Sequence, residues 1–298
     1  MNPSDGVVVL DKPPGITSFG AVERVGRVFR GRKCGHTGTL DPIATGVLPV
    51  CVGRATKIAG YLAAGEKEYD VDFRFGVETD TGDAAGRTIS SAPGVFPRED
   101  AVRAAVAGLV GEWEQVPPAY SAVKVAGTRA YALARQGKPV KLSGRTVTVY
   151  EARVLSWSAE GFRAFLRCSK GFYVRALSRD MGSVLGVSMT VAGLRRLRSG
   201  PFRMEEAIRL EALEEAGRKG EAHAFLVPIE KALEGFPRRE ISAEAAAAVR
   251  QGRTPAPWLA GGEAVRRGDV VLLTSGKEGP VALVTCAANG VFRILRGL

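Results

Sequence analysis

Histidine is nearly missing from this chain: among 298 residues only His36 and His223 carry an imidazole. A histidine-based triad or a multi-histidine metal site has too little to work with. Cysteine is scarce too. Cys34, Cys51, Cys168 and Cys286 are far apart and form no CxxC pair, so zinc-ligand spacing is absent and no metal is expected. They read as reduced thiols of a cytoplasmic protein. No apolar run approaches the roughly 18 residues that a membrane span needs. The N-terminal "MNPSDGVVVLDKPPG" has a short apolar run without a basic start, unlike a secretory signal. Neither a Walker loop nor a dinucleotide glycine pattern occurs.

What is present in excess is positive charge. Lys and Arg number 42 against 31 Asp and Glu, a net charge of +11. That sign favours a polyanionic partner, nucleic acid above all, although a basic surface kept for solubility has the same composition. With 45% hydrophobic and 24% charged residues, the chain is otherwise ordinary for a globular protein of about two domains.

Residues 6–10, "GVVVL", read as a buried strand stopped by the turn "DKPPG". Thr17 or Ser18 can cap a helix with Phe19, Val22, Val25 and Phe29 at helical spacing, and Arg24, Arg27 and Arg30 on the other face. "YDVDFRF", 69–75, alternates as a strand with Val71, Phe73 and Phe75 inward. The spacing predicts a helix over 98–111, with Val102, Ala105, Val106, Leu109 and Val110 on its stripe. "RTVTVYEARVLSWS" and "FRAFLRCSK" read as strands. "FYVRALSRDMGSVLG" reads as a helix facing inward with Val174, Leu177, Met181 and Val184. Without βαβ regularity, this mixture points to an α+β fold with a mixed or antiparallel sheet. A boundary is expected near 232–240, giving domains 1–235 and 236–298. The second carries a helix capped by Ser242, a hairpin turning at Asn289-Gly290 and an excess of basic residues, nine against five acids from Phe236 onward. It reads as an RNA- or DNA-binding appendage, or as a structural cap.

Within "KCGHTGTLDPIATGVLPV", Asp41 is the single acid. Proline after it keeps it out of helical geometry, and glycines at 35, 38 and 46 allow close approach to the backbone. A lone Asp-Pro is commonly a turn initiator; here the basic lead-in, His36 and the apolar flanks suit a carboxylate mounted in a dry pocket. Arg175 falls in the first turn of its helix, against the helix dipole, so an acid elsewhere is its natural partner. If that acid is Asp41, the arginine favours its charged form. Tyr69 suits either core packing or a nucleobase, and His36 either a turn or an RNA contact. "DTG", Asp80 to Gly82, is an aspartic-protease signature, but Glu78 and Thr79 precede it where that fold needs an apolar strand. The acids at 78, 80 and 83 also miss calcium-loop spacing.

Taken in order, "LDKPPGITSF", "GHTGTLDPIATGVLPVCVGRATK", "KEYDVDFRFGVETDTGDAAG", "PPAYSAVKVAGTRAYALARQG", "CSKGFYVRALSRDMG" and "LRRLRSGPF" resemble the TruB family of pseudouridine synthases over about residues 5–230. The resemblance implies a catalytic core on a mixed, mainly antiparallel sheet. The C-terminal residues resemble, more weakly, a small β-barrel-like RNA-binding (PUA-type) domain. The implied activity is isomerisation of uridine 55 in the T arm of tRNA, by base flipping, cleavage of C1′–N1 and rejoining through C5. No cofactor, metal or guide RNA is implied. A monomer is expected, since neither domain shows an unspent apolar stripe. The resemblance places Asp41 as the catalytic aspartate, with His36 beside the RNA loop and Tyr69 on the target uracil. Tyr173 and Arg175 fall around the nucleotide, the arginine pairing with the acid, and Leu194 is an apolar contact on the base. The alternative is a non-catalytic tRNA binder or folding chaperone using the same cleft.

Overall fold

Eight main strands and the helices that cover them are set by where the sequence alternates and where it repeats at helical spacing. The computed structural model describes residues 5–298 apart from 93, 95, 122, 126, 138, 254–265, 277–278 and 287–291. The hairpin turn expected at Asn289-Gly290 lies outside the described residues.

In chain order, β1 (Gly6–Lys12) leads through the proline turn into α1 (Ser18–Val28). The short β2 (Cys34–His36) and β3 (Thr45–Val52) flank the loop that holds Asp41. After α2 (Ala59–Ala63) come β4 (Lys67–Phe75) and the small hairpin of β5 (Val77–Thr79) and β6 (Thr88–Ser91). Next are α3 (Glu99–Ala107) and β7 (Gly111–Gln115). A second small hairpin, β8 (Lys124–Val125) and β9 (Thr128–Arg129), precedes α4 (Ala130–Arg135). The long β10 (Arg145–Ser158) and β11 (Gly161–Cys168) lead to α5 (Val174–Leu185) and β12 (Met189–Ser199). β13 (Phe202–Arg203), β14 (Ile208–Arg209), α6 (Leu210–Lys219), β15 (Leu226–Val227) and α7 (Ile229–Ala232) close this part.

These strands build one sheet in the order β14-β1-β3-β12-β4-β11-β10-β7, with β2 on β3, β13 on β12 and β15 on β1. Only β1–β14 and β3–β12 run parallel, so the sheet is mixed and mainly antiparallel, as expected. Strict alternation in β4 puts Tyr69, Val71, Phe73 and Phe75 into one core. The helices α1, α3, α5 and α6 cover that face, and Val25, Val102, Leu177 and Leu213 reach the same cluster.

Three side chains expected on inward stripes point elsewhere. Phe19 is 68% exposed, because the face of α1 that meets the sheet is fixed by the small residues Ser18 and Ala21 with Val22 and Val25. Val184 is 75% exposed; Leu185, one position on, packs on the core where α5 ends at the left-handed Gly186. Val110 is 53% exposed because α3 stops at Ala107 and its helical spacing no longer applies. Of the two candidate caps, Thr17 serves: its hydroxyl accepts from the Gly20 amide at 2.9 Å.

From Arg238 a second sheet follows, β16 (Arg238–Glu240), β17 (Val270–Ser275), β18 (Gly279–Cys286) and β19 (Phe292–Gly297), with α8 (Ala243–Arg250) capped by Ser242. Among the described residues it runs in the order β16-β17-β18-β19, the small C-terminal sheet domain that was expected. One of its faces packs with α8 around Val271, Leu273, Val281 and Ala246. The other sends Leu272 and Leu283, together with Leu298, into a cluster with Val7, Val9 and Val47 on the underside of the large sheet. Among the described residues no helix is long and apolar enough to cross a membrane.

Candidate active site

The loop between β2 and β3 is held by buried groups on every side. Ser18, 2% exposed, donates from its hydroxyl to the Leu40 carbonyl at 2.8 Å and accepts from the Leu40 amide at 2.7 Å. Lys12, wholly buried, donates from Nζ to the carbonyls of Ala44 at 2.7 Å and Pro42 at 3.4 Å. Burial pulls its ammonium down to about 8, against the opposing attraction of Asp41. The Gly15 amide reaches the Pro42 carbonyl at 2.8 Å. From β12, Arg196 donates to the carbonyls of Val47 (2.7 Å), Gly38 (3.1 Å) and Thr39 (3.4 Å). The backbone under Asp41 is therefore fixed, and its side chain stands out from a rigid base.

Arg175 meets that side chain in the fork geometry expected of a guanidinium and a carboxylate. Its Nε donates to Asp41 Oδ2 at 2.7 Å and its Nη2 to Oδ1 at 3.0 Å. The arginine side chain is 7% exposed and the aspartate 31%, so the acid faces open space while its partner stays behind it. The remaining guanidinium donors reach the carbonyls of Thr81 at 2.9 Å and Tyr120 at 2.8 Å. Asp83, 7% exposed at its side chain, brings a second carboxylate to 3.5 Å from Arg175 Nε. Thus "DTGD" is a support for Arg175. Gly82, at φ +76°, runs so close to α5 that a Cβ there would lie 2.6 Å from the Arg175 carbonyl oxygen. Asp80, the acid of the protease-like motif, accepts instead from the Arg87 amide within the turn.

Around the pair lies a cavity of about 290 Å³, lined by Asp41, Tyr69, Tyr173, Arg175 and Leu194 among others. That is the lower end of the range for ligand sites, about 300–1,000 Å³, and suits a single nucleotide. Tyr69 and Leu194 are each 8% exposed and come from neighbouring strands β4 and β12. Burial pushes the Tyr69 phenol up to about 12, while the positive charge of Arg196 pulls the other way. Tyr173 immediately precedes α5; its backbone is held by Gln115 at 2.8 and 3.1 Å, and Arg145 lies 5.9 Å from its ring centre. Lys67 lines the same space, donates to the carbonyls of Ala63 and Gly65, and is lowered to about 8 by burial.

Five of the six sequence-predicted residues thus converge on one cavity. His36 does not line it. It ends β2 beside the loop, half-buried, with its pKa lowered by burial and then by Arg196, and its Nδ1 has no partner among the described residues. Sequence reasoning missed Lys12, Asp83 and Arg196. The one available signal was charge in otherwise apolar or turn segments: "VVVLDKPPG" for the lysine and the alternation in "MTVAGLRRLRS" for the arginine. Among the described residues no group of three His, Cys, Asp or Glu is placed to hold a metal ion.

Comparisons with known proteins give the family. The family profile "TruB family pseudouridylate synthase (N terminal domain)" matches residues 26–174, and "tRNA pseudouridylate synthase B C-terminal domain" matches 175–234. The tRNA pseudouridine synthase B of Chromohalobacter salexigens is 47% identical over 84% of this chain and 81% of its own length. The protein of the same name from Mycobacterium sp. strain KMS is 44% identical over 85% of this chain and 84% of its own length. Among solved structures, an archaeal box H/ACA Nop10–Cbf5 complex superposes with a TM-score of 0.75 at 28% identity, covering 99% of this chain and 86% of that one. An H/ACA ribonucleoprotein bound to a substrate RNA containing 2′-deoxyuridine gives 0.74 at 27% identity, covering 98% and 84%. By these matches and by the residues at its cavity, the chain belongs to the TruB family of pseudouridylate synthases.

Proposed function

We propose that this protein is a tRNA pseudouridine synthase acting on uridine 55 of the T arm, as a cytoplasmic monomer without a cofactor or guide RNA. The observation that carries the reading is the doubly hydrogen-bonded Asp41–Arg175 pair, with its acid facing a nucleotide-sized cavity. Pure RNA binding gives no reason to aim a carboxylate at a polyanion.

The reaction cuts the C1′–N1 bond, turns the uracil and joins C5 to C1′; a proton leaves C5 and N1 gains one, so nothing is added overall. Asp41 either attacks C1′ and expels N1, or removes the 2′ proton to give a glycal. Both routes need both carboxylate oxygens held in place, which Arg175 does. Apolar walls at Leu40, Phe172 and Leu194 help keep the detached base in and water out once RNA covers the mouth of the pocket. Flipping the uridine costs a few kcal/mol, and stacking on Tyr69 returns about 1–3 kcal/mol. In this reading Leu194 packs on the base, Tyr173 borders the nucleotide, and His36, outside the cavity, meets the rest of the RNA loop. Residues 1–235 form the catalytic domain and 236–298 an RNA-binding module. Support comes from the relatives named tRNA pseudouridine synthase B, which align over more than four-fifths of this chain.

The test is tritium release from tRNA labelled at uracil C5. Release by the wild type and none by Asp41→Asn, with tRNA binding kept, is the expected result. Tight binding by both without release would leave a non-catalytic RNA binder.

A further inference from the structure

Whichever route Asp41 takes, cutting C1′–N1 sends the electron pair of that bond with N1. Uracil leaves as an anion, its charge spread over N1, O2 and O4. A cation already in place where that charge develops lowers the barrier. Among the described residues four cationic side chains line the cavity: Lys67, Lys170, Arg175 and Arg196. Arg175 is matched by the carboxylates of Asp41 and Asp83. Each of the three nitrogens of Arg196 is on a backbone carbonyl. Lys170 is exposed, and water and salt screen it. That leaves Lys67.

Lys67 is 7% exposed. It precedes Tyr69 by two positions in β4, so both side chains rise from one face of the strand, about 7 Å apart along it. Its Nζ donates to the carbonyls of Ala63 and Gly65. Among the described residues the third N–H has no partner, and no carboxylate pairs with the ammonium. Burial lowers it only to about 8, so at neutral pH it keeps its proton and its charge. Capping two carbonyls after α2 does not call for a buried ammonium, since an exposed lysine or water does the same at less cost.

We propose that Lys67 is a catalytic residue: its ammonium meets the edge of the uracil seated on Tyr69 and stabilises the negative charge the base gains as C1′–N1 breaks. The ammonium keeps its proton throughout. Once the ring has turned, C5 joins C1′ and loses its proton, N1 gains one, and the base is neutral again. The inference rests on the cavity being the synthase site.

The experiment measures single-turnover tritium release and tRNA Kd for the wild type and Lys67→Gln, which keeps donors for the two carbonyls but carries no charge. Release about 100-fold slower, with Kd within about threefold, is expected, the scale of losing one preorganised donor. Both proteins are then given tRNA with 5-fluorouridine at the target position, and its consumption is followed by nucleoside chromatography. Fluorine makes the departing base a more stable anion that needs less help, so there the loss is expected to shrink to about 10-fold or less. Equal losses on the two substrates would mark a structural role and overturn the proposal. So would an unchanged rate, or a rate loss matched by lost affinity. Should Lys67→Gln fail to fold, Lys67→Met takes its place in the same comparison, with the same outcomes deciding. Absence of release by the wild type would instead overturn the synthase reading, and this inference with it.

Discussion

Burying an ionisable side chain changes when it titrates, and this molecule buries several of opposite kinds. Lys12 and Lys67 are lowered to about 8. Between there and their unfolded values near 10.5 the unfolded chain holds more protons, so stability rises with pH. The thiols act in the opposite sense. Burial raises Cys34 to about 11 and Cys51 and Cys168 to about 12. Above their unfolded values near 9 the folded state holds the extra protons, and stability falls. Three thiols outweigh two ammonium groups, so the urea midpoint is expected to peak near about pH 9 and decline beyond it. His36, lowered by burial, adds a loss as pH falls below its ordinary range. A midpoint still climbing at about pH 10.5 would contradict this account. Residues of this class were the hardest to foresee. Asp41 and Arg175 announce themselves by standing against their local surroundings, one before a proline and one at a positive helix end. Nothing in "LDKPPG" says that Lys12 turns inward onto three carbonyls, because that depends on the loop 30 residues later in the chain.

Elements were legible where a pattern is local. Alternation located β4, β10 and β11, and helical spacing located α1, α3 and α5, yet the spacing also assigned Phe19, Val110 and Val184 to the core. Which flank of a helix is buried is decided by what it lands on, and for α1 that is the Ser18–Leu40 contact. The same dependence makes the start of α5 sensitive. In Gly82→Ala the new Cβ collides with the Arg175 carbonyl and the left-handed φ is strained, so α5 must shift. Single-turnover release is expected to fall about 100-fold while filter binding shows tRNA affinity within about threefold. Equal losses in both would mean that the turn serves folding alone. Asp83→Asn is a gentler probe of this element: with one carboxylate removed from Arg175, a slower reaction with unchanged melting is expected. An unchanged reaction would make Asp83 a structural acid only.

For the molecule as a whole, the net charge of +11 sets the manner of binding. A protein covering about four phosphates loses on the order of 100-fold in affinity between about 50 and 200 mM salt. A loss of at least this size is expected for tRNA, and a flat salt titration would refute phosphate contacts as the source of affinity. The α+β class was readable because it depends on the mixture of patterns. The strand order of the second sheet was not, since it depends on pairing between strands that no single segment encodes. Leu272, Leu283 and Leu298 share a cluster with Val7, Val9 and Val47. Removing residues 236–298 would bare that face, and a lower urea midpoint for the shortened chain is expected; an unchanged one would show that the large sheet needs no cover. This shared cluster also acts as a gauge. Arg266, Arg267, Arg293 and Arg296 are exposed on the second sheet and its approach, and the shared apolar cluster ties that sheet to the one that carries the Asp41 loop. Were an RNA held there, it would reach the carboxylate with a uridine only if the two points on its own surface stood the same span apart. Such a pair of contacts would measure RNAs by their span, before any base is read.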